Sequence, residues 1–264
     1  MIVVLLLGTL VGAVLGLTGA GGGILAVPAL VNGLGWTVQQ AAPVALIAVA
    51  TGAAVGALEG FRHGLVRYRA AALIALAAMP MTFVGRWLAL QISATLLAGV
   101  FGAVMLLVAW RAWQSATARA EHPQQAARCR VDPVSGRLIW TPLTVVLMCV
   151  VGMLTGLLTG LLGVGGGFVI VPALRRLTNL AMQSIVATSL LVIALTGISG
   201  VVSTLVHGGQ LPVMVLWPFM GALIAGMALG RKLSGHLSGA TIQRSFALLL
   251  LLIAGSMLWR AAGL

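Results

Sequence analysis

The 264-residue sequence is 61% hydrophobic and only 7% charged, with a mean hydropathy of +1.15. This composition excludes a soluble domain, whose surface could not be so apolar, and indicates a polytopic membrane protein. The net charge of +12, from 15 Lys and Arg against three acids, is therefore attributed to membrane topology and to attraction of anionic lipids or solutes rather than to nucleic-acid binding. The two cysteines form no metal-binding motif, and no cofactor is expected.

The chain opens on an apolar segment (1–17) that runs into the glycine-rich stretch GAGGGILAVP, residues 19–28. No Lys or Arg precedes Arg62, so this segment lacks the pattern of a signal peptide and is expected to be part of the fold. A short apolar segment and three full-length spans follow, near 22–34, 38–60, 68–90 and 94–113. A helix needs about 20 residues to cross a bilayer, so the segment after the glycines is too short for a comfortable crossing.

The same order of elements recurs when the sequence is shifted by 144 residues. GLTGAGGGILAVPAL (16–30) lies over GLLGVGGGFVIVPAL (160–174), and His63-Gly64 lies over His207-Gly208. The second half is therefore expected to hold matching segments, near 141–161, 166–176, 181–206, 211–230 and 242–262.

This duplication divides the chain into two transmembrane repeats, 1–113 and 141–264, joined by a polar linker, 114–140. Internal duplication is a common plan among transporters. The linker is the only long hydrophilic stretch, and it is too short to form a domain of its own.

The positions of the cations predict the topology. If the glycine-rich region of each half made a single crossing, the basic residues would change sides halfway along the chain, against the positive-inside rule. If it enters the membrane and returns, as a re-entrant hairpin or as two short crossings, 13 cations share one side and only Arg86 and Arg260 lie on the other. The second arrangement predicts an all-α fold of two inverted-topology repeats, each with a broken or re-entrant helical pair and three full transmembrane helices. In this multi-pass protein of the inner or plasma membrane, the linker is cytoplasmic and both termini are external.

The glycine-rich stretches 19–23 and 163–167, here called the glycine boxes, are the first candidate site. Irregular backbone at membrane depth is tolerated only where protein buries it or where it lines a cavity. A helix that starts after each box would present free N–H groups and a positive dipole end to an anion. We expect these starts at Gly22 or Gly23 and at Gly166 or Gly167. The substrate-binding candidates of the boxes are Gly19, Gly21, Gly22, Gly23, Gly163, Gly165, Gly166 and Gly167.

Close packing of helices is the alternative explanation for a glycine in a membrane segment. Gly8, Gly12 and Gly16 precede the first box at a spacing of four residues, which favours packing for these three. For the boxes themselves, the duplication and the predicted topology favour a substrate site.

Polar residues within spans supply further candidates, because such residues are costly in a membrane and often functional. Gln39, Gln183, Thr188 and Ser189 could donate hydrogen bonds to an oxyanion, or they could form ordinary interhelical hydrogen bonds. Arg86 interrupts the apolar run MPMTFVGRWLAL. Its guanidinium could bind a sulfonate or carboxylate through two hydrogen bonds, or it could reach to the membrane interface.

Histidines and one acid lie near the ends of the spans. His63 and His207 are candidates for proton coupling, because histidine titrates near neutral pH; the alternative is an interfacial role. Glu59 is expected to pair with Arg62 or His63 at helical spacing, whereas Ser203 occupies its position in the second repeat.

The duplicated box, GAGGGILAVP and GVGGGFVIVP, resembles the TauE/SafE family of membrane proteins, the sulfite exporters. The set of spans and the pairs Gly85-Arg86 and Gly230-Arg231 late in each half are also similar to that family. The resemblance covers essentially the whole chain. It implies a secondary transporter that moves sulfite, sulfonates or related small sulfur-containing organic anions, mostly outward.

The expected function is therefore secondary transport, as an exporter of a small sulfur-containing or organic anion, by alternating access around the two box helix ends. An anion channel on the same scaffold stays open as the alternative. No P-loop and no constellation of nucleophile, base or metal ligands is present, so neither a nucleotide-driven pump nor an enzyme is expected. The expected partners are the anion, the lipid bilayer and a coupled proton; a homo-oligomer is left open.

Overall fold

The structure, a computed structural model, describes residues 1–19, 21–117, 129, 139–207, 212–234 and 238–261. Every named element in these ranges is a helix, and the order is the predicted one. The helices are α1 (Ile2–Thr18), a 3-10 turn (Gly22–Leu25) leading into α2 (Ala26–Leu34), α3 (Val38–Arg62), α4 (Tyr68–Gln91), α5 (Ala94–Thr117), α6 (Pro142–Leu162), α7 (Gly167–Leu177), α8 (Met182–Val206), α9 (Val213–Ser234) and α10 (Gly239–Ala261).

Seven helices in the described ranges are long and apolar enough to cross a membrane: α3, α4, α5, α6, α8, α9 and α10. The chain is therefore an all-α polytopic membrane protein, as the composition predicted. Helix α5 continues to Thr117, past the predicted end at 113. Most of the predicted linker lies outside the described residues.

Side-chain caps set where two of the long helices begin. Thr37 accepts a hydrogen bond from the Gln40 backbone N–H, and the Gln40 side chain accepts one from the Thr37 N–H. Thr141 caps α6, whose first residue is Pro142. These caps satisfy backbone groups that have no partner within the helix.

The first two helices form an antiparallel hairpin. Gly22 lies against the backbone of Leu15, and Gly33 near the end of α2 lies against the side chain of Leu7. Helices α6 and α7 contact each other in the same way, with Gly166 against Thr155. At 1.5 Å per residue, the 9 residues of α2 and the 11 of α7 span about 14 and 17 Å, roughly half of a hydrocarbon core. Each half thus contains the predicted broken helical pair.

Helix α1 packs along α9 from the other half, through glycine. A Cβ atom on Gly8 would lie 2.8 Å from the Phe219 carbonyl oxygen, and one on Gly12 or Gly16 would overlap the α9 backbone. Gly226 of α9 meets the α1 backbone in return. The contacts run in the same order along both helices, so α1 and α9 are parallel. The predicted packing role of Gly8, Gly12 and Gly16 is confirmed.

The remaining contacts repeat this pattern between the halves. Helices α4 and α6, the repeat counterparts of α9 and α1, cross at Gly152 and Gly156, which meet the backbones of Ile74 and Ala78. The central pair is α3 and α8, the two most buried of the candidate spans, and α5 packs against α10. If each helix is replaced by its counterpart in the other half, the pair α1–α9 becomes α6–α4, and the pairs α3–α8 and α5–α10 map onto themselves. This symmetry of contacts supports the duplication.

Candidate functional site

A cavity of about 2090 Å³, here called the vestibule, opens at one end of the helical bundle. It is bounded by the C-terminal parts of α1, α3, α5 and α9, by α7, by the middle of α6, and by the N-terminal parts of α8 and α10. Both halves of the chain therefore contribute to it. Its charged and titratable lining residues are Glu59, His63, Arg111, Arg175, Arg176 and Arg231.

Among the residues that the structure describes, the vestibule lining carries four arginines and one acid, so these side chains attract anions. The arginines come from three helices: α5, α7 and α9. All four belong to the group of 13 cations that the topology argument places on one side. The structure thus brings cations that are far apart in the sequence to one end of the molecule.

Both glycine boxes reach the vestibule, through Gly19, Gly21 and Gly167. Gly19 ends α1 with φ 82° and Gly166 caps α7 with φ 68°, a region of backbone conformation that glycine adopts without steric cost. The helices after the boxes start at Gly22 and Gly167, within the predicted positions.

Other box glycines serve packing. A Cβ atom on Gly23 would lie 2.9 Å from Val49 Cγ1, and Gly165 packs in the same way against Ile193. The Gly22 N–H donates a hydrogen bond of 2.9 Å to the Thr18 hydroxyl. The expectation of a free N–H at Gly22 is therefore wrong, because the last turn of α1 supplies an acceptor.

The two glutamines of the repeat occupy different settings. Gln183 is exposed in the vestibule. Gln39 donates a long hydrogen bond (3.4 Å) from Nε2 to the Ile92 carbonyl oxygen after α4, and it is not among the residues that line the vestibule. Only Gln183 faces the space available to a solute in this conformation.

Thr188 and Ser189 are buried and hydrogen-bonded within the protein. The Thr188 hydroxyl accepts a hydrogen bond of 3.0 Å from the Arg67 backbone N–H at the start of α4. The Ser189 hydroxyl donates to the Val186 carbonyl oxygen at 2.9 Å. Neither residue lines the vestibule, so in this conformation both act in packing rather than in contact with a solute.

His63 and His207 have the same local contact in the two halves. In each, Nδ1 lies within hydrogen-bond distance of the carbonyl oxygen four residues earlier, at 2.9 Å from Glu59 and 2.7 Å from Ser203. His63 lines the vestibule, whereas His207 ends α8. The shared contact fixes the rings at the ends of equivalent helices.

A second, small cavity occupies the position that is equivalent to the vestibule under the repeat. Eight of its nine lining residues have a counterpart, 144 or 145 positions away, that lines the vestibule. The small cavity contains Arg86 and Gly163, for example, whose counterparts are Arg231 and Gly19. Its lining residues are Ala42, Pro43, Leu46, Arg86, Thr159, Gly160, Gly163, Gly200 and Thr204. One of the two equivalent spaces is wide and the other nearly closed.

The Glu59 carboxylate forms an ion pair with Arg231, across the interface between α3 and α9. The expected pairing with Arg62 or His63 is therefore wrong. The reason is that α3 packs against α9 of the other half, which brings a guanidinium to the carboxylate. Helical spacing alone could not reveal this partner.

These features define a class: a multi-pass membrane transporter whose two interleaved halves surround a cationic vestibule. The sequence profile described as Sulfite exporter TauE/SafE matches residues 4–257. The chain belongs to the TauE/SafE sulfite exporter family.

Curated relatives are similar over nearly their whole length. A "Probable membrane transporter protein" of Xylella fastidiosa (strain Temecula1 / ATCC 700964) is 32% identical over 263 residues, which cover 96% of this chain and 93% of the relative. The "Probable membrane transporter protein YunE" of Bacillus subtilis (strain 168) is 27% identical over 255 residues, 92% of this chain and 88% of the relative. No solved structure matches.

Proposed function

We propose that the protein is a secondary carrier that exports a small sulfur-containing or organic anion, such as sulfite or a sulfonate. The observation that carries the proposal is the pair of repeat-equivalent cavities, one of about 2090 Å³ and one nearly closed. In a carrier built from inverted repeats, exchange of conformation between the halves would close the first cavity and open the second. This difference between equivalent spaces supports alternating access over an open channel.

The anion enters the vestibule, where the arginines raise its local concentration. Gly19, Gly21, Gly167 and Gln183 are the candidate binding residues that line the vestibule. Small residues let the anion approach the backbone closely, as the box pattern predicts. His63 lines the same space and is the candidate for exchanging a coupled proton with the solution.

Flux measurements in proteoliposomes test this function. We expect saturable efflux of ³⁵S-labelled sulfite that is stimulated by unlabelled sulfite on the opposite side, as an exchanging carrier requires. A panel of sulfonates and carboxylates as competitors ranks the substrates. Protein-free liposomes are the control. Flux that does not saturate, together with single-channel currents, would support the channel alternative, and no flux of any tested anion would refute both.

The proposed orientation has the vestibule and linker 114–140 in the cytoplasm and both termini outside. We expect alkaline phosphatase fused after Leu264 to be active, because that enzyme folds only outside the cytoplasm. Green fluorescent protein inserted at Gln125 should fluoresce, because it matures in the cytoplasm. A fluorescent fusion at Leu264 with an inactive phosphatase fusion would contradict the inverted topology.

A further inference from the structure

The two repeat-equivalent arginines differ in their electrostatic partners. Arg231 is paired with the Glu59 carboxylate. Arg86 is only 7% exposed, and its Nε has no hydrogen-bond partner. No ion pair or hydrogen bond joins the Arg86 side chain to another residue in the described part of the chain. A buried cation is normally paired, because removing it from water is costly.

The substitution that leaves Arg86 unpaired can be read from the repeat. Ser203 occupies the position of Glu59, and Thr204 that of Gly60. The Ser203 hydroxyl is itself buried without a hydrogen-bond partner. The second repeat has therefore exchanged a counter-charge for a hydroxyl group, which can donate a hydrogen bond to an anion.

The small cavity beside Arg86 carries positive charge and no counter-charge: among the described residues its polar side chains are Arg86, Thr159 and Thr204, and no acid lines it. The Thr159 and Thr204 hydroxyls donate hydrogen bonds to the carbonyl oxygens of Val164 and Gly200, so the Arg86 guanidinium is the group in this lining that is left to bind an anion. The guanidinium fork matches two oxygens of an oxyanion. The cavity measures about 10 Å³, room for roughly one water-sized group, so it must widen before it can hold a four-atom anion such as sulfite.

We propose that Arg86, together with Ser203 at the repeat position of Glu59, forms a buried binding site for a small inorganic oxyanion such as sulfite, which is filled when the small cavity widens. At the equivalent Arg231, the Glu59 carboxylate occupies the position that we assign to the bound anion at Arg86. The identity of the anion rests on the proposed function, whereas the existence of the site rests on the unpaired Arg86. The site gives the transported anion a second binding position, in the small cavity that is the repeat equivalent of the vestibule.

Equilibrium binding of ³⁵S-sulfite to the purified full-length protein tests the site. We expect Arg86→Gln to raise the Kd at least tenfold, because it removes the one charged side chain among the described residues that line the small cavity. Ser203→Glu should do the same while keeping Arg86, because it places a carboxylate where Glu59 stands in the other half. Arg69→Gln is the matched control: the same substitution on the same helix, at an exposed residue outside both cavities, should leave the Kd within twofold.

Folding of each variant is checked by size-exclusion chromatography before binding is measured. Sulfite binding at wild-type affinity in folded Arg86→Gln and Ser203→Glu would overturn the site, as would a wild-type protein that binds no sulfite. If neither variant folds, Arg86→Met replaces them, because it removes the charge while keeping a long apolar side chain in the same space: a Kd raised at least tenfold supports the site, and a wild-type Kd in the folded variant overturns it.

Flux in proteoliposomes separates this inference from the proposed function. Arg86-dependent binding without sulfite flux would keep the site and refute the carrier. Normal flux in Arg86→Gln, with unchanged binding, would keep the carrier and refute the site.

Discussion

Gly226→Leu is expected to prevent stable folding. A Cβ atom at Gly226 would lie 2.9 Å from the Thr9 carbonyl carbon and would overlap its oxygen, and this backbone cannot move aside as a flexible side chain can. Overpacking of this kind costs about 1–3 kcal/mol or more. A loss of about 3 kcal/mol lowers the melting temperature by roughly 6–12 °C. Size-exclusion chromatography in detergent should therefore show no monodisperse peak. If the variant can be purified, a thermal-unfolding measurement should give a lower melting temperature than that of the wild type.

Gly221 provides a control within the same helix. It lies five residues before Gly226 in α9, and a Cβ atom there would meet nothing within 4 Å. Gly221→Leu should keep the wild-type melting temperature or raise it slightly, because leucine favours a helix over glycine by up to about 1 kcal/mol. Equal melting temperatures for the two variants would mean that α1 and α9 do not pack as described.

Gly21→Leu is expected to reduce anion flux at least tenfold in a protein that still folds. Gly21 has φ −76°, an ordinary value for any residue, and the nearest atoms to an added Cβ are those of the Phe246 ring at 3.5 Å. A leucine side chain is therefore tolerated, but it occupies the vestibule beside the first glycine box. Flux of labelled sulfite, normalised to the amount of reconstituted protein, measures the effect.

Gly239→Leu is the matched control for this experiment. Gly239 also lines the vestibule, but it is the first residue of α10 and belongs to neither box, and a Cβ atom there would have nothing within 4 Å. We expect its flux to stay within twofold of the wild type. Wild-type flux in Gly21→Leu would argue against substrate contact at the first box.

Gly22→Leu and Gly166→Leu are poorer tests of the boxes, although the sequence pattern makes them the obvious choices. A Cβ atom on Gly22 would overlap the backbone of Leu15. Gly166 adopts φ 68° and lies against Thr155. Both substitutions should damage folding, so a loss of transport would not report on substrate binding.

Local pattern was sufficient to predict the helical hairpins and the packing glycines. The starts at Gly22 and Gly167 follow from the boxes, and the spacing of Gly8, Gly12 and Gly16 indicated a close helix contact. The partner in that contact, α9, could not be identified, because helix spacing describes one face of one helix. The duplication was the most informative feature, because each element could be predicted from two segments of the sequence.

Predictions about polar side chains depended on contacts between the halves and were less successful. Helical spacing favoured Arg62 or His63 for Glu59, but packing of α3 against α9 supplies Arg231. Thr188 was predicted as a possible hydrogen-bond donor to the anion, but its hydroxyl accepts a hydrogen bond from the Arg67 backbone N–H at the start of α4. The need for that acceptor arises only when α4 and α8 come together in the folded protein.

The interleaving of the halves has a consequence for biosynthesis. Helix α4 ends at Gln91 and its partner α6 begins at Pro142, 51 residues later, whereas 195 residues separate the end of α1 at Thr18 from the start of α9 at Val213. At about 5–20 residues per second, α1 waits roughly 10–40 s for its partner. During this time, lipid or the insertion machinery must cover the face of α1 that carries Gly8, Gly12 and Gly16. The equivalent pair, α4 and α6, can pack much earlier in translation.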